Sequence, residues 1–210
     1  MNLEQIEKAL APHHLTVFGG VGKDLPEGIG TLVLLGPRPP GFWPHFTTSA
    51  EYTDDQPDPL DRWSKRVITK LAQDLGAEAF FPFDGPPWQP FVQWAIDSGR
   101  AHVSPVGLLI HDEAGLMISY RGALGFTQNI ALPEPPPSPC DACTDRPCLS
   151  ACPVDALTPH GYDVAACKTD LDRAGNDCLA RGCAVRRACP VSQSHGRTEG
   201  QSAFHMRAFK

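Results

Sequence analysis

Eight cysteines, all between Cys140 and Cys189, are the residues whose type and spacing could do chemistry. Cys140, Cys143, Cys148 and Cys152 form C-x2-C-x4-C-x3-C, and Pro153 follows directly. In such a run the first three thiolates wrap one metal core. The spacing C-x2-C-x2-C-x3-C-P is an iron–sulfur pattern in which the fourth cysteine ligates a second cluster. Two extra residues between Cys143 and Cys148 depart from it, lengthening a loop without removing a ligand. Cys167, Cys178, Cys183 and Cys189 follow, with Pro190 behind the last. At four thiolates per four-iron core, eight cysteines match two [4Fe–4S] clusters used for electron transfer.

Zinc and disulfides are the alternatives. Zinc ribbons and fingers pair two short hooks, whereas this chain has one C-x2-C and two Cys-Pro corners. A disulfide scaffold belongs to an oxidising compartment. The opening Met1–His14 is polar and amphipathic rather than a basic head followed by an apolar run. No apolar stretch reaches the ~18 residues that span a bilayer. The expectation is a cytoplasmic protein with reduced thiols and no membrane partner. With 18 Lys+Arg against 24 Asp+Glu, a net charge of −6, a nucleic-acid partner is not expected, since it requires a basic stripe. Few large apolar side chains lie in residues 140–190, so this segment is expected to depend on its metals for order. Arg181, Arg186 and Arg187 stand close enough in sequence to offset the negative charge of thiolate-bound clusters.

The elements that must position these cysteines fall into two regions. Residues 1–132 hold no cysteine; Pro-Glu-Pro-Pro-Pro-Ser-Pro (133–139) reads as a stiff, extended linker; residues 140–210 hold all eight cysteines. In the first region, Leu3 to Leu10 is expected to be a helix, and Leu15 to Phe18 and Thr31 to Leu35 buried strands. Asp58 to Leu75 is the clearest helix: Leu60, Trp63, Val67, Leu71 and Leu75 recur at helical steps, and Gly76 supplies the stop. Ala77 to Phe83 reads as a strand, Pro90 to Asp97 as a helix, and Val106–Ile110 with Leu116–Tyr120 as a strand pair. Ala203 to Phe209 reads as a short helix over the cysteine lobe. The fold class is α+β, a sheet with flanking helices followed by a small metal-binding lobe.

The cysteine block resembles two-cluster bacterial ferredoxins. That resemblance implies crossed ligation, with Cys140, Cys143, Cys148 and Cys189 on one cluster and Cys152, Cys167, Cys178 and Cys183 on the other. The order of an α/β region, C-x2-C…C-x3-C-P, a cysteine fifteen residues later and a closing Cys-Pro also resembles the epoxyqueuosine reductases. These, with the reductive dehalogenases, bind cobalamin on a nitroreductase-like sheet and reduce it through two [4Fe–4S] clusters. Ser98-Gly99 through Val106–Ile110, then His111–Gly115, is similar to a segment of those reductases. Ile110-His111 and Tyr120-Arg121-Gly122 are similar to cobalamin-processing chaperones. The resemblance implies cobalamin as a further cofactor, with His111, Tyr120 and Arg121 as its contacts. It also implies Asp84, in Asp84-Gly85-Pro86-Pro87, as the catalytic proton donor. The chain departs from the family where Cys183 to Cys189 lacks a middle cysteine, Cys178 standing in from upstream. The reductases' tRNA-engaging domain has no counterpart in the 21 residues after Cys189, so a tRNA substrate is not expected.

Other features read as ordinary structure. Gly19-Gly20-Val21-Gly22-Lys23 lacks the glycine and hydroxyl positions of a phosphate loop. His13, His14, His45 and His102 lack a metal-ligand spacing. Three functions fit these expectations. The first is an iron–sulfur oxidoreductase that reduces a cofactor or small-molecule substrate held by the N-terminal region. The others are a non-catalytic ferredoxin-like carrier docking a redox partner protein, and a corrinoid-handling chaperone.

Overall fold

A computed structural model describes every residue, Met1–Lys210. In chain order its elements are α1 (Leu3–Leu10), β1 (Leu15–Val21), β2 (Thr31–Pro37), α2 (Phe42–Thr47), α3 (Ala50–Thr53), α4 (Pro59–Leu75), β3 (Glu78–Phe80), α5 (Phe91–Asp97), β4 (Ala101–Val103), β5 (Leu109–His111) and β6 (Gly122–Phe126). Then come β7 (Leu157–Thr158), β8 (Gly161–Tyr162), α6 (Val164–Leu171), α7 (Cys178–Arg181), α8 (Ala184–Ala188), α9 (Pro190–Ser194) and α10 (Glu199–Phe209). The fold is α+β, and every strand pairing is antiparallel. The chain forms two compact units, one of Met1–Arg100 with Ser119–Pro136, the other of Ala101–Ile118 with Pro137–Lys210. One crossing falls inside the proline-rich segment. The other two separate Ala101–Ile118 from the first region, to which the sequence reading had assigned it, and place it with the cysteines.

The first unit is built on a four-stranded sheet of order β1-β2-β6-β3. All seven residues of β2 are buried, as a strand with neighbours on both edges and packing on both faces must be. Helix α1 starts with a capping box: Asn2 Oδ1 accepts the Gln5 N–H and Gln5 Oε1 accepts the Asn2 N–H, each at 2.9 Å. Helix α4 opens with Pro59 and closes at Gly76, whose φ of +64° lets its N–H reach the carbonyls of Ala72 and Gln73. Its apolar stripe of Leu60, Trp63, Val67, Ile68 and Leu71 is buried, each side chain contributing about 1.5–3 kcal/mol of transfer free energy. Strand β6, Gly-Ala-Leu-Gly-Phe, is entirely buried although glycine disfavours strands. Close approach requires those glycines: a Cβ on Gly122 would stand 2.8 Å from Ile68 Cδ1, and one on Gly125 2.8 Å from Phe80 Cε2.

The second unit corrects the expected strand pair. Leu109–His111 pairs backward with Ala101–Val103, not forward with Leu116–Tyr120. A tight turn makes this possible, with Ser104 N–H donating to Leu108 O (2.8 Å) and Gly107, at φ +74°, donating to Ser104 O (2.9 Å). Leu116 and Met117 are buried without a ladder. The expected strand Ala77–Phe83 shrinks to three residues, because Pro82 and the Asp84–Pro87 turn end it. No helix is long and apolar enough to cross a membrane.

Candidate metal centres

The structure divides the eight cysteines into two sets of four, each lining its own cavity in the second unit. Cys140, Cys143, Cys148 and Cys189 line a cavity of about 370 Å³. The first two lie on successive turns, with Asp141 N–H donating to Ser138 O (3.0 Å) and Cys143 N–H to Cys140 O (3.3 Å). Cys148 sits in a 3-10 turn, Pro147–Leu149, and is 8 % exposed. Cys189 stands between α8 and α9 in extended conformation, φ −66° and ψ 124°. Ile110, Leu116 and Val191 form apolar wall, and the exposed Thr144, Asp145 and Arg146 form a polar rim. Burial raises the Cys140 and Cys148 thiols above their ordinary range, and repulsion from the other thiols of the set adds to it.

Cys152, Cys167, Cys178 and Cys183 line a second, much tighter cavity of about 20 Å³ with Leu157, Leu171, Val185 and Met206. Cys152 Sγ accepts the Ala156 N–H at 3.2 Å. Cys167 rides on α6, which Asp163 caps by accepting the Ala166 N–H at 2.8 Å. Cys178 opens α7, its N–H held by Asn176 Oδ1 at 2.8 Å. Burial raises the Cys178 thiol as well. Burial and a hydrogen bond to Cys167 push the Tyr162 phenol upward, although its residue is 39 % exposed overall. Burial lowers the Arg186 guanidinium, while Cys183 and Tyr162 act the other way; its Nη1 donates to the Leu116 carbonyl. Of the three arginines expected to offset charge, Arg181 pairs with Asp177 and Glu199, and Arg187 with Asp177. Arg186 lies near the Cys183 thiol, and Arg187 near that of Cys178.

The two sites share one apolar cluster. Val106, Ile110, Leu116, Leu157 and the fully buried Val185 pack with Cys148 and Cys189 of the first set and Cys152 and Cys183 of the second. No three His, Cys, Asp or Glu side chains of the chain converge tightly enough to hold one metal ion. On the wall of the first cavity, Ser104 is 5 % exposed and its Oγ has no hydrogen-bond partner. The sequence reading did not single it out, and a serine between Val103 and Pro105 carries no signal of its own.

The other sequence candidates line neither cavity. Asp84 is 44 % exposed at its side chain, and both carboxylate oxygens accept from Lys65 Nζ, at 2.9 and 3.0 Å. The turn after β3 holds this carboxyl at the surface. His111 is fully buried, and its Nδ1 accepts the N–H groups of Glu113 (3.1 Å) and Ala114 (3.3 Å), so it organises its own turn. Arg121 belongs to the first unit, where its Nη1 meets Asp61 Oδ1 at 2.9 Å and its Nε donates to Tyr120 O at 3.0 Å. Burial lowers its guanidinium from the ordinary value, with Asp61 opposing. Tyr120 precedes it, half-buried, in the irregular segment before β6.

Three histidines that lack a sequence spacing do meet in space. The His45 ring lies 6.4 Å from His13 and 5.2 Å from His14. Burial lowers His13 and His45 from their ordinary value, and the positive neighbours, Arg66 among them, push the same way. Compared with known proteins, the chain matches no family model, no curated protein and no solved structure.

Proposed function

We propose that this chain is an iron–sulfur electron-transfer protein whose two cysteine sets each hold a [4Fe–4S] cluster. One observation carries the reading: the eight cysteines line two cavities, four to each, in the sets implied by crossed ferredoxin-type ligation. Such clusters supply one-electron oxidation and reduction. Zinc ribbons would draw four ligands to about 2.3 Å from a single centre, and no such convergence exists. The first cavity, about 370 Å³, has room for a core of several metal atoms, whereas the second, about 20 Å³, takes one only if the side chains around it move apart. An orphaned hydroxyl in the wall, Ser104, suits a bound group that accepts a hydrogen bond. Ile110, Leu116 and Val185 give the cysteines an apolar surround, and Arg186 opposes the charge of Cys183.

Within this reading, the chain relays electrons for a redox partner protein. A cobalamin-dependent reductase finds less support, because the side chains it requires are engaged elsewhere. Asp84 is tied to Lys65, His111 to its turn and Arg121 to Asp61. The test is iron, sulfide and zinc content after anaerobic purification, read with the visible and electron paramagnetic resonance spectra. About eight iron and eight sulfide per chain are expected. Stoichiometric zinc without sulfide overturns the proposal. Titration with cobalamin is expected to leave the corrinoid spectrum unchanged; a shift on binding returns the reductase reading to first place.

A further inference from the structure

We infer that the Ser104 hydroxyl is a hydrogen-bond donor to the group held by Cys140, Cys143, Cys148 and Cys189, and that it raises the reduction potential of that site. The inference rests on the iron–sulfur reading of the first cavity and adds a residue outside the cysteine motif.

Three observations lead to it. Ser104 is 5 % exposed, so solvent does not serve its hydroxyl, and Oγ has no partner within the protein. Its backbone is fully committed, N–H to Leu108 O and carbonyl to Gly107 N–H, so the residue is fixed in place and only the hydroxyl is uncommitted. It lies on the wall of the cavity that the four thiols share, beside Pro105, Ile110 and Leu116, whose side chains offer no acceptor. A buried hydroxyl without a partner is unfavourable, and sulfur of a cluster bound in this cavity would supply the acceptor it lacks. A donor to cluster sulfur stabilises the more negative, reduced core, and so raises its potential. The second cavity has no counterpart: none of the buried atoms lacking a partner belongs to a residue lining it. The effect should therefore fall on one cluster and leave the other alone.

The experiment uses the full chain, loaded anaerobically and titrated with dithionite under electron paramagnetic resonance. Ser104→Thr keeps the hydroxyl, and Ser104→Val replaces it at equal size, so the pair isolates the hydrogen bond from packing. Both are expected to retain about eight iron per chain. The valine variant is expected to shift one of the two reduction equilibria about tenfold toward the oxidised form, about 59 mV for one electron, with the other unmoved. The threonine variant is expected to stay with the parent protein. Equal potentials in the two loaded variants overturn the inference while leaving the cluster reading intact. A parent protein without iron overturns both. A wild-type cluster signal coupled to an exchangeable deuteron after soaking in D2O, and uncoupled in the valine variant, is the corroborating signature.

Discussion

Cys183 and Cys189 stand at the two ends of one five-residue helix, α8, and each lines a different cavity. Six residues of helical rise place their backbones about 9 Å apart. That is a short distance for an electron. Cys148 and Cys152, four residues apart, repeat the arrangement on the other side of the motif. The Cys140–Cys152 block and the Cys183–Cys189 segment thus each serve both sites.

Crossed service makes single replacements informative. Cys189→Ser is expected to impair the first site and Cys183→Ser the second, each lowering iron from about eight toward about four per chain. The surviving signals should differ between the two variants, since only the first cavity contains Ser104. Identical residual spectra, or complete iron loss in both with the chain still folded, count against two separate sites.

The C-x2-C-x4-C-x3-C-P motif was legible in the sequence because its spacing is short-range, whereas the grouping of Cys167, Cys178, Cys183 and Cys189 came from the ferredoxin resemblance and not from spacing. Helices α1 and α4 were equally legible from Ile6 and Leu10, and from the stripe running Leu60 to Leu71. Strand β6 was not, because Gly122 and Gly125 look like breakers and their reason lies in Ile68 and Phe80, far off in sequence. The pairing of Leu109–His111 with Ala101–Val103 was hidden for a related reason: a small turn set by Gly107 competed with an equally plausible one at Asp112–Gly115. Ser104 became a candidate only through burial, a tertiary property.

Asp84 provides a test of the departure from the reductase likeness. Its pair with Lys65 is exposed on both sides, 44 % and 56 %, and such pairs are worth about 0–1 kcal/mol. Asp84→Asn is therefore expected to leave iron content and the rate of electron transfer to an artificial acceptor unchanged. A loss of turnover beyond about tenfold in the folded variant, for any substrate reduced, restores Asp84 to a catalytic role.

Arg121 and Asp61 are bonded to each other but unequally placed, 14 % and 36 % exposed. Removing Asp61 leaves a buried guanidinium without its counter-charge, a loss of about 3–5 kcal/mol. Removing the guanidinium leaves a carboxylate that water can reach. Asp61→Ala is thus expected to destabilise the chain in denaturant far more than Arg121→Met. The reverse order would mean that Arg121 acts outside this pair.

Two glycines of the second unit separate backbone strain from steric conflict. Gly107 and Gly115 both have positive φ, +74° and +56°. Around Gly107 the space is open, whereas a Cβ on Gly115 would lie 2.4 Å from Ser192 N and 2.9 Å from its Cα. Gly107→Ala is expected to cost about 1–2 kcal/mol, the left-handed penalty alone. Gly115→Ala should cost clearly more, and lower iron loading too, because Ser192 Oγ accepts the Leu116 N–H at 2.8 Å and Leu116 walls the first cavity. Comparable thermal midpoints for the two variants contradict this placement.

His195 gives the second unit a pH dependence whose sign can be worked out. Burial, then the charges of Arg197 and His111, lower its imidazole from 6.5 to about 4. Between those values the unfolded chain binds a proton that the folded chain does not, so stability rises with pH across the window. The contribution is complete above about pH 6.5 and is lost as pH falls toward 4, amounting to about 2 kcal/mol by pH 5. Acid also releases metal from thiolates, since protons compete for the ligands, but that loss is common to every variant that keeps the cysteines. Comparing the parent protein with His195→Gln, both iron-loaded, therefore isolates the histidine. The glutamine variant is expected to lose less stability between pH 7.5 and pH 5, by about 2 kcal/mol in the denaturant midpoint analysis. Parallel pH profiles for the two proteins mean that the imidazole titrates alike in the folded and unfolded chains, and the burial of His195 would then play no part in acid sensitivity.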